Sequence, residues 1–368
     1  MVIINMVKMK RKLLMGLSEN VWESRAVLNP SVVVEKGVEH IFYRAVSKDW
    51  ISSIGYARIV DGELERFNKP ILEPTEDYEI KGIEDPRITK IGNIYYILYT
   101  AFDGRDARIA YAVSKNLVDW KKMGIISPGI PVNEARKLVK IKKYRDKWAN
   151  QEVEGSRISL WDKDAVLLPE KINGKFIMLH RFMPDIQVLK FDKFEDLMND
   201  DFWRNYIRDL SEGEDKVSLY RRYHWEGEHI GAGAVPIKTK KGWLLIYHGV
   251  ELVGKESMGY HFHRWFNDFT RHVPKFRRKR LPLIYHAGAA LLDLKKPEEE
   301  ISRLSSPLFS PKYDWEKEGD INDVVFPEGC SVDGDKLKIY YGCSDSRIGV
   351  AEMSLRELLA ELGRAKSD

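Results

Sequence analysis

The sequence predicts an all-β protein: a five-bladed β-propeller with a short C-terminal helix and helical or loop insertions. Three observations support this prediction: short apolar strands separated by Gly and Asn turns, a group of strands that recurs five times, and no long amphipathic helices between those strands. Such spacing is typical of antiparallel all-β folds. A propeller explains the recurrence, because radial repetition leaves only short, protected sheet edges, whereas an open sandwich gives no reason for it.

Each recurring group, called a unit below, has an apolar strand, a turn, an aromatic-rich strand ending in a polar residue, and a third strand with small residues. The first strands are at residues 29–34, 85–88, 163–168, 231–237 and 322–327. The second are at residues 41–45, 95–100, 175–181, 242–248 and 337–342, and the third at 54–57, 107–112, 186–189, 287–292 and 348–351. A long-period repeat indicates one architecture of similar units, so we expect a single domain over residues 1–368.

Three segments interrupt the repeat. Residues 134–158 and 191–229 are rich in charged residues and are predicted to be long connections that carry helical turns. Residues 255–280 contain eight basic residues against two acidic ones, interleaved with aromatic side chains. That composition suits nucleic acid, and it suits a subunit contact or a lid over a substrate channel equally well.

The two ends of the chain carry different signals. Residues 354–364 predict a C-terminal helix, with Ser354 as its N-cap and Gly363 as the residue that closes it. Residues 1–20 are predicted to be an N-terminal extension, either frayed or an edge segment. Its apolar runs are too short and too interrupted for a signal peptide.

Composition narrows the class of protein. With 43% hydrophobic and 32% charged residues, the chain is typical of a globular protein, and its net charge of +4 is too small for a surface built for nucleic acid. No stretch approaches the roughly 18 apolar residues of a membrane span. Cys330 and Cys343 are the only cysteines, so we expect neither a disulfide framework nor a zinc site and predict a cytoplasmic protein. Abundant Lys and Glu with few glutamines indicate a thermophilic source.

Charged residues stand at the strand ends of several units. In residues 82–89, Asp85 and Arg87 flank Pro86, which lacks an N–H and fits the first residue of a strand but not its interior. A surface turn explains the same residues. Because the innermost strands of a propeller line its central channel, strand-end side chains are expected to converge on one pocket, unless the channel is merely polar and filled with water. These side chains are Arg44, Asp85, Asp164, His180, Arg181, His248, Asp323 and Asp345.

Several motifs stand in order along residues 25–352. They are Glu84-Asp85-Pro86-Arg87, residues 163–175 with Leu179-His180-Arg181, residues 230–233 with 242–250, residues 288–294 with 324–327, and Tyr340-Tyr341-Gly342. With these motifs the chain resembles glycoside hydrolase family 130, the inverting β-mannoside phosphorylases and related β-mannosidases. The resemblance implies a five-bladed propeller with sugar and phosphate in the axial pocket.

The resemblance also implies a mechanism. Asp85 matches the catalytic acid, which protonates the glycosidic oxygen through a hydroxyl of the mannosyl unit while phosphate attacks the anomeric carbon from the opposite face. One carboxylic acid suffices, because phosphate is already an anionic nucleophile that needs positioning more than deprotonation. An inverting hydrolase would need a carboxylate base as well.

The resemblance assigns the remaining site residues. Lys163, Arg181 and Tyr285 match phosphate-binding positions, and His229 stands where the family usually has a lysine; a neutral imidazole would bind the anion more weakly. For Asp103 and Asp164, neutralisation of neighbouring cations is the alternative to substrate binding. The expected substrate-binding residues are Asn29, Arg44, Arg87, Asp103, Asp164, His248, Phe326 and Asp345.

The sequence therefore predicts a phosphorylase that cleaves a β-mannoside (mannobiose, manno-oligosaccharide or mannosyl-glucose type) with inorganic phosphate to give α-mannose 1-phosphate. Phosphate is the co-substrate, and no other cofactor and no metal are expected. Two alternatives stay open: an inverting β-mannosidase with Glu84 or Glu170 as base, and a non-catalytic propeller that binds carbohydrate or a protein partner. The linkage, the acceptor sugar and the existence of a homo-oligomer also stay open.

Overall fold

The computed structural model describes residues 8–151, 157–210, 216–253 and 282–365, which are mostly β-strands with few helices. The strands of these residues pair antiparallel in five groups that match the five units of the repeat. One parallel bridge, between Ser52 and Gly82, joins the first two units into a single sheet. Among the described residues, no helix has the length and apolar character needed to span a membrane.

The units contain four strands, or five in the fourth unit, rather than the three expected. The first has β2 (Ala26–Glu35), β3 (Val38–Val46), β4 (Ser52–Val60) and β5 (Glu63–Arg66); the second has β6 (Gly82–Ile91), β7 (Ile94–Phe102), β8 (Ala107–Ser114) and β9 (Lys121–Ile125). The third has β10 (Lys163–Leu167), β11 (Phe176–Arg181), β12 (Ile186–Phe191) and β13 (Val217–Leu219). The fourth has β14 (His229–Ala232), β15 (Ile237–Thr239), β16 (Gly242–Leu252), β17 (Leu283–Leu292) and β18 (Glu300–Arg303). The fifth has β19 (Val325–Asp333), β20 (Lys336–Cys343), β21 (Arg347–Ser354) and β1 (Met9–Met15).

The outer strand of the fifth unit comes from the opposite end of the chain. Within the predicted N-terminal extension, β1 pairs antiparallel with β21, from Met9 opposite Met353 to Met15 opposite Ile348. Arg11 also holds this strand in place, because its Nη1 atom donates to Glu316 Oε1 at 2.9 Å and Oε2 at 3.0 Å. Part of the extension is therefore an ordered edge strand.

Apolar cores lie between successive units. Each core combines residues from two units: Phe42 with Ile97, Ile109 with Leu167, Val166 with Trp243, Leu244 with Ile339, and Tyr340 with Tyr43. The last pair joins the fifth unit to the first. The first strands also contact one another, β2 with β6, β6 with β10, and β10 with β14, while β19 contacts β16, β17 and β2. Within the described residues, burial of apolar side chains thus joins every unit to the next.

The first strands share an irregularity. Asn29, Asp85 and Asp164 have left-handed φ angles of 50°, 53° and 58°, each at a shift in strand register. Apart from glycine, Asn and Asp adopt this conformation most readily. The expectation that Pro86 begins its strand is wrong, because β6 starts at Gly82 and Pro86 lies inside it. The β-bulge removes Pro86 from the hydrogen-bonded ladder, so its missing N–H is not needed.

Helices form in the predicted connections and at the C-terminus. The described helices are α1 (Val132–Leu138), α2 (Lys142–Trp148), α3 (Asp200–Asp209), α4 (Asp314–Lys317) and α5 (Leu355–Arg364), with short 3₁₀ helices at Val21–Glu23, Asp77–Glu79, Ala149–Gln151, Phe194–Met198 and His224–Glu226. Ser354 caps α5, because its Oγ accepts the Glu357 N–H at 3.1 Å. Gly363 lies in the last turn and does not close the helix. The basic segment 255–280 lies outside the described residues.

Replacement of Arg11 tests the contribution of β1. Arg11→Met would leave the fully buried Glu316 carboxylate without its cation, so we expect the free energy of unfolding to fall by about 3 kcal/mol. Lys12→Met, at an exposed neighbouring position of β1, is the matched control and should change it by less than about 0.5 kcal/mol. Urea denaturation measures both, and equal losses would contradict the assigned role of the ion pair.

Candidate active site

Charged side chains, most of them buried, converge where the first strands of the units meet. The cations come from β3, β6, β10 and β11, and the carboxyl groups from β6, β10 and β19. We call these residues the charged cluster: Arg44, Glu84, Asp85, Arg87, Lys163, Asp164, Arg181 and Glu328. The structure thus brings together residues that are far apart in the sequence.

Asp85 lies in the charged cluster at the bulge of β6. Asn29 Nδ2 donates to Asp85 Oδ1 at 2.8 Å, and Arg44 Nη1 lies 3.4 Å from the same oxygen. Burial acts to raise the pKa of Asp85, but the positive charges of Arg44, Lys163 and Arg87, together with the Asn29 hydrogen bond, outweigh it and hold the pKa below its usual value. Asp85 is therefore ionised at neutral pH in this arrangement.

Glu84, next to Asp85, joins cations of the first and third units. Its Oε1 lies 2.6 Å from Arg44 Nη2 and its Oε2 lies 3.6 Å from Lys163 Nζ. Glu170, the other base candidate, is exposed and accepts two hydrogen bonds from Lys238 Nζ, at 2.6 and 2.7 Å. That surface position excludes Glu170 as a base that acts across from Asp85.

Arg87 is buried at the centre of the charged cluster and contacts three other units. Its side chain donates to the carbonyl oxygens of Ala232 and Gly233, both at 3.1 Å, in and beside β14. Its Nη2 atom lies 2.6 Å from Glu328 Oε1 on β19 and 3.4 Å from Asp164 Oδ1 on β10. This environment makes Arg87 a structural centre of the site rather than a freely exposed sugar-binding group.

Glu328 is a member of the charged cluster that sequence reasoning missed. It is fully buried at the register shift between Pro327 and Gly329, the place that Asp85 and Asp164 occupy in their own strands. Burial raises the pKa of Glu328 well above its usual value, and the negative charges of Asp85 and Asp164 add to the effect despite Arg87. Alignment of the repeat units on their bulges is the signal that would have found it.

Asp164 neutralises neighbouring cations. Arg181 Nε lies 2.5 Å from Asp164 Oδ2, and His248 Nε2 lies 3.7 Å from the same oxygen. Burial acts to raise the pKa of Asp164, but nearby positive charge, Arg181 first, lowers it to about 2. A Cβ atom at Gly231 would lie 2.2 Å from Asp164 Oδ2 and 2.3 Å from His248 Cε1, so this close packing requires glycine.

Four rings, from His229, His248, Tyr285 and Phe326, lie beside Arg181. The ring centroids are 4.3 Å apart for His248 and Phe326, 5.9 Å for His229 and His248, and 6.1 Å for His229 and Tyr285. Burial lowers the pKa of His248 to about 3 and, with the charge of Arg181, lowers that of His229 well below its usual value. Burial raises the pKa of Tyr285 to about 12. At neutral pH both imidazoles and the phenol are therefore uncharged.

Polar atoms of this region lack partners. Among the residues that the structure describes, Arg181 Nη1, His229 Nδ1 and both ring nitrogens of His248 are buried without a hydrogen bond. Since buried polar groups usually have partners, this concentration indicates a place where a polar ligand binds.

Asp345 lies close enough to the charged cluster to interact with it electrostatically. Burial raises its pKa to about 6; Arg44 opposes this rise, and the negative charges of Asp85, Asp320 and Glu84 support it. Asp345 therefore changes its protonation close to physiological pH: when ionised its carboxyl group only accepts hydrogen bonds, and when protonated it can also donate one.

Two other expected residues have local contacts instead. Asp103 Oδ1 accepts the backbone N–H groups of Arg105 at 2.8 Å and Asp106 at 2.7 Å, which stabilises a turn. The expectation that His180 faces the pocket is wrong, because its two ring nitrogens lie 2.9 Å from Asp162 Oδ1 and 3.0 Å from Tyr206 Oη in a buried network. In the part of the chain that the structure covers, no group of three or more His, Cys, Asp or Glu is arranged to hold a metal ion.

Carboxyl groups gathered in one site, as in the charged cluster, are a feature of the class of enzymes that cleave glycosidic bonds. More particularly, the chain belongs to glycoside hydrolase family 130: the family model described as beta-1,4-mannooligosaccharide phosphorylase matches residues 4–270 and 278–363.

Individual relatives cover nearly the whole chain. It is 35% identical over 370 residues to a 1,2-beta-oligomannan phosphorylase from Thermoanaerobacter sp. (strain X514), over 96% of this chain and 99% of the relative. It is 36% identical over 360 residues to a beta-1,2-mannobiose phosphorylase of the same organism, over 93% and 94%. The solved beta-1,2-mannobiose phosphorylase of Listeria innocua, in complex with beta-1,2-mannobiose, shares its fold with a TM-score of 0.67 at 23% identity, over 97% of this chain and 99% of that one.

Substitution of Gly231 tests the packing between Asp164 and His248. The methyl group of Gly231→Ala would overlap with the side chains of Asp164 and His248. We therefore expect the free energy of unfolding to fall by about 1–3 kcal/mol. Gly16→Ala, whose Cβ would have no neighbour within 4 Å, is the control and should cost less than about 0.5 kcal/mol. Chemical denaturation followed by circular dichroism makes the comparison, and equal stability of the two variants would contradict the close packing.

Proposed function

We propose that this protein is an inverting β-mannoside phosphorylase that transfers a mannosyl group to inorganic phosphate. The observation that supports this function best is the charged cluster itself: Asp85 is a buried carboxyl group among cations, and Arg181 of the same cluster lies beside rings with unpartnered polar atoms. Membership of family 130 supports the same conclusion. Inorganic phosphate is the co-substrate, and the reaction needs no other cofactor.

We further propose that the five units form a five-bladed propeller with this site on its axis. The apolar cores that join each unit to the next, and the fifth to the first, support this architecture. So does β1, which completes the fifth unit from the other end of the chain. A cytoplasmic location and a thermophilic source remain predictions of the sequence.

Asp85 is the proposed general acid, and its ionised state in the structure sets a requirement. It must gain a proton before it can donate one, so its pKa has to rise when the substrates bind. Phosphate bound near Lys163 would supply negative charge that opposes the cations around Asp85 and would raise its pKa. The acid then delivers its proton to the glycosidic oxygen through a mannosyl hydroxyl.

Phosphate is the proposed nucleophile. A phosphate oxygen forms a bond to the anomeric carbon from the face opposite the leaving group, while the bond to the glycosidic oxygen breaks and that oxygen takes the proton. The product is α-mannose 1-phosphate with inverted configuration. Glu84 is poorly placed to act as a base that activates a competing water molecule. It forms an ion pair with Arg44 and lies beside Asp85 rather than across from it.

The substrate is proposed from the relatives. Those that match most of the chain are named for β-1,2-linked mannosides, so we propose β-1,2-mannobiose or a longer β-1,2-mannan as the first substrate to examine. Arg44, His248, Phe326 and Asp345 are its proposed sugar contacts. Asn29 is proposed to act on the reaction chiefly through its hydrogen bond to Asp85.

The phosphate requirement tests this function. Incubation with β-1,2- and β-1,4-mannobiose should yield α-mannose 1-phosphate, detected by NMR, only when phosphate is present. Asp85→Asn should abolish turnover while the folded structure, followed by circular dichroism, is kept. Release of free mannose without phosphate would instead identify a hydrolase, and lack of turnover on every mannoside would favour a binding protein.

The role of Lys163 is tested by the two Michaelis constants. Lys163→Met removes a charged hydrogen-bond donor from the proposed phosphate position, so KM for phosphate should rise about tenfold or more while KM for the mannoside changes little. Lys238→Met, which removes a surface cation paired with Glu170, should leave both constants unchanged. An equal rise of both constants in Lys163→Met would contradict a specific role in phosphate binding.

A further inference from the structure

Two cations that are candidate phosphate ligands, Arg181 and Lys163, already have carboxylate groups next to them. The guanidinium of Arg181 contacts Asp164, and Lys163 lies next to Glu84. Another candidate phosphate ligand, His229, is 5% exposed, and its Nδ1 atom has no hydrogen-bond partner among the described residues. The proposed phosphate site therefore has little net positive charge of its own.

The groups around His229 explain its charge state. Arg181 on β11, His248 on β16 and Tyr285 on β17 lie nearest to its ring. Two further cations, Lys147 on α2 and Arg221 before the fourth unit, act on it from other elements, and Lys147 is paired with Glu228. Burial and these positive charges all disfavour an imidazolium at this place.

A bound phosphate dianion would instead favour the imidazolium form of His229. Bound against Arg181 Nη1, it would bring two negative charges close to His229 Nδ1 in a site that is shielded from water, where charges interact strongly. The unpartnered nitrogen could then take a proton and donate a charged hydrogen bond to a phosphate oxygen. A monoanion offers half of that interaction.

We propose that His229 takes up a proton when phosphate binds, so that this histidine supplies positive charge only in the complex and makes the site selective for a dianion. The inference rests on the proposed function, because it assumes that phosphate binds beside Arg181. Phosphate affinity should then decrease by about tenfold per pH unit wherever one proton is taken up. A lysine at the same position would be charged in the free protein and in the phosphate complex. Phosphate binding would then no longer be coupled to proton uptake.

Isothermal titration with inorganic phosphate tests the proposal. The Asp85→Asn variant is the parent protein, because it removes both turnover and proton uptake by Asp85 itself. Titrations at about pH 8, where phosphate is mainly the dianion, in two buffers of different ionisation enthalpy give the number of protons bound. We expect about one proton per phosphate in the parent and a number close to zero when His229→Lys is added.

His229→Gln in the same parent is the second variant, and it keeps the test valid if the buried lysine disturbs folding. It cannot take up a proton, so it should bind phosphate more weakly and without proton uptake. Equal proton numbers in the parent and in either variant would overturn the role of His229 but leave the phosphorylase function intact. No phosphate binding to the folded parent would overturn both.

Discussion

The centre of this structure depends on the contacts that the buried guanidinium of Arg87 makes with other units. A charge removed from water must be compensated by nearby groups, and Arg87 obtains compensation from carbonyl oxygens of the fourth unit and from Asp164 and Glu328 of the third and fifth. The bulges in β10 and β19 bring those two carboxyl groups to it. Local backbone irregularity in separate strands therefore serves one shared electrostatic requirement.

The same concentration of charge sets the protonation of the whole site. Cations keep Asp85 and Asp164 ionised, whereas burial raises the pKa of Glu328 and keeps His229 and His248 neutral. A site with this balance is not ready for acid catalysis as it stands, because Asp85, the proposed acid, lacks a proton. In the mechanism proposed above, negative charge brought by the substrate completes the catalyst, so that phosphate is both nucleophile and electrostatic activator.

The repeat and the order of the units could be predicted from the sequence, because strand period and turn residues are local signals. The fourth strands could not: β5 is four half-exposed residues, Glu63–Arg66, without apolar alternation, and β1 pairs with residues more than 300 positions away. The position of Asp85 was predicted but its bulge was not, since Pro86 indicated a strand start. Glu328 was missed because its importance comes from partners in other units.

The pairing of β1 with β21 has a consequence for how the protein is made. Strand β1 is synthesised more than 300 residues before its partner, residues 347–354. Until then one sheet edge of the fifth unit and the apolar face between the fifth and first units have no cover. Exposed edges and apolar surfaces of incomplete chains promote aggregation, so a nascent chain of this protein depends on protection until residues 347–354 emerge.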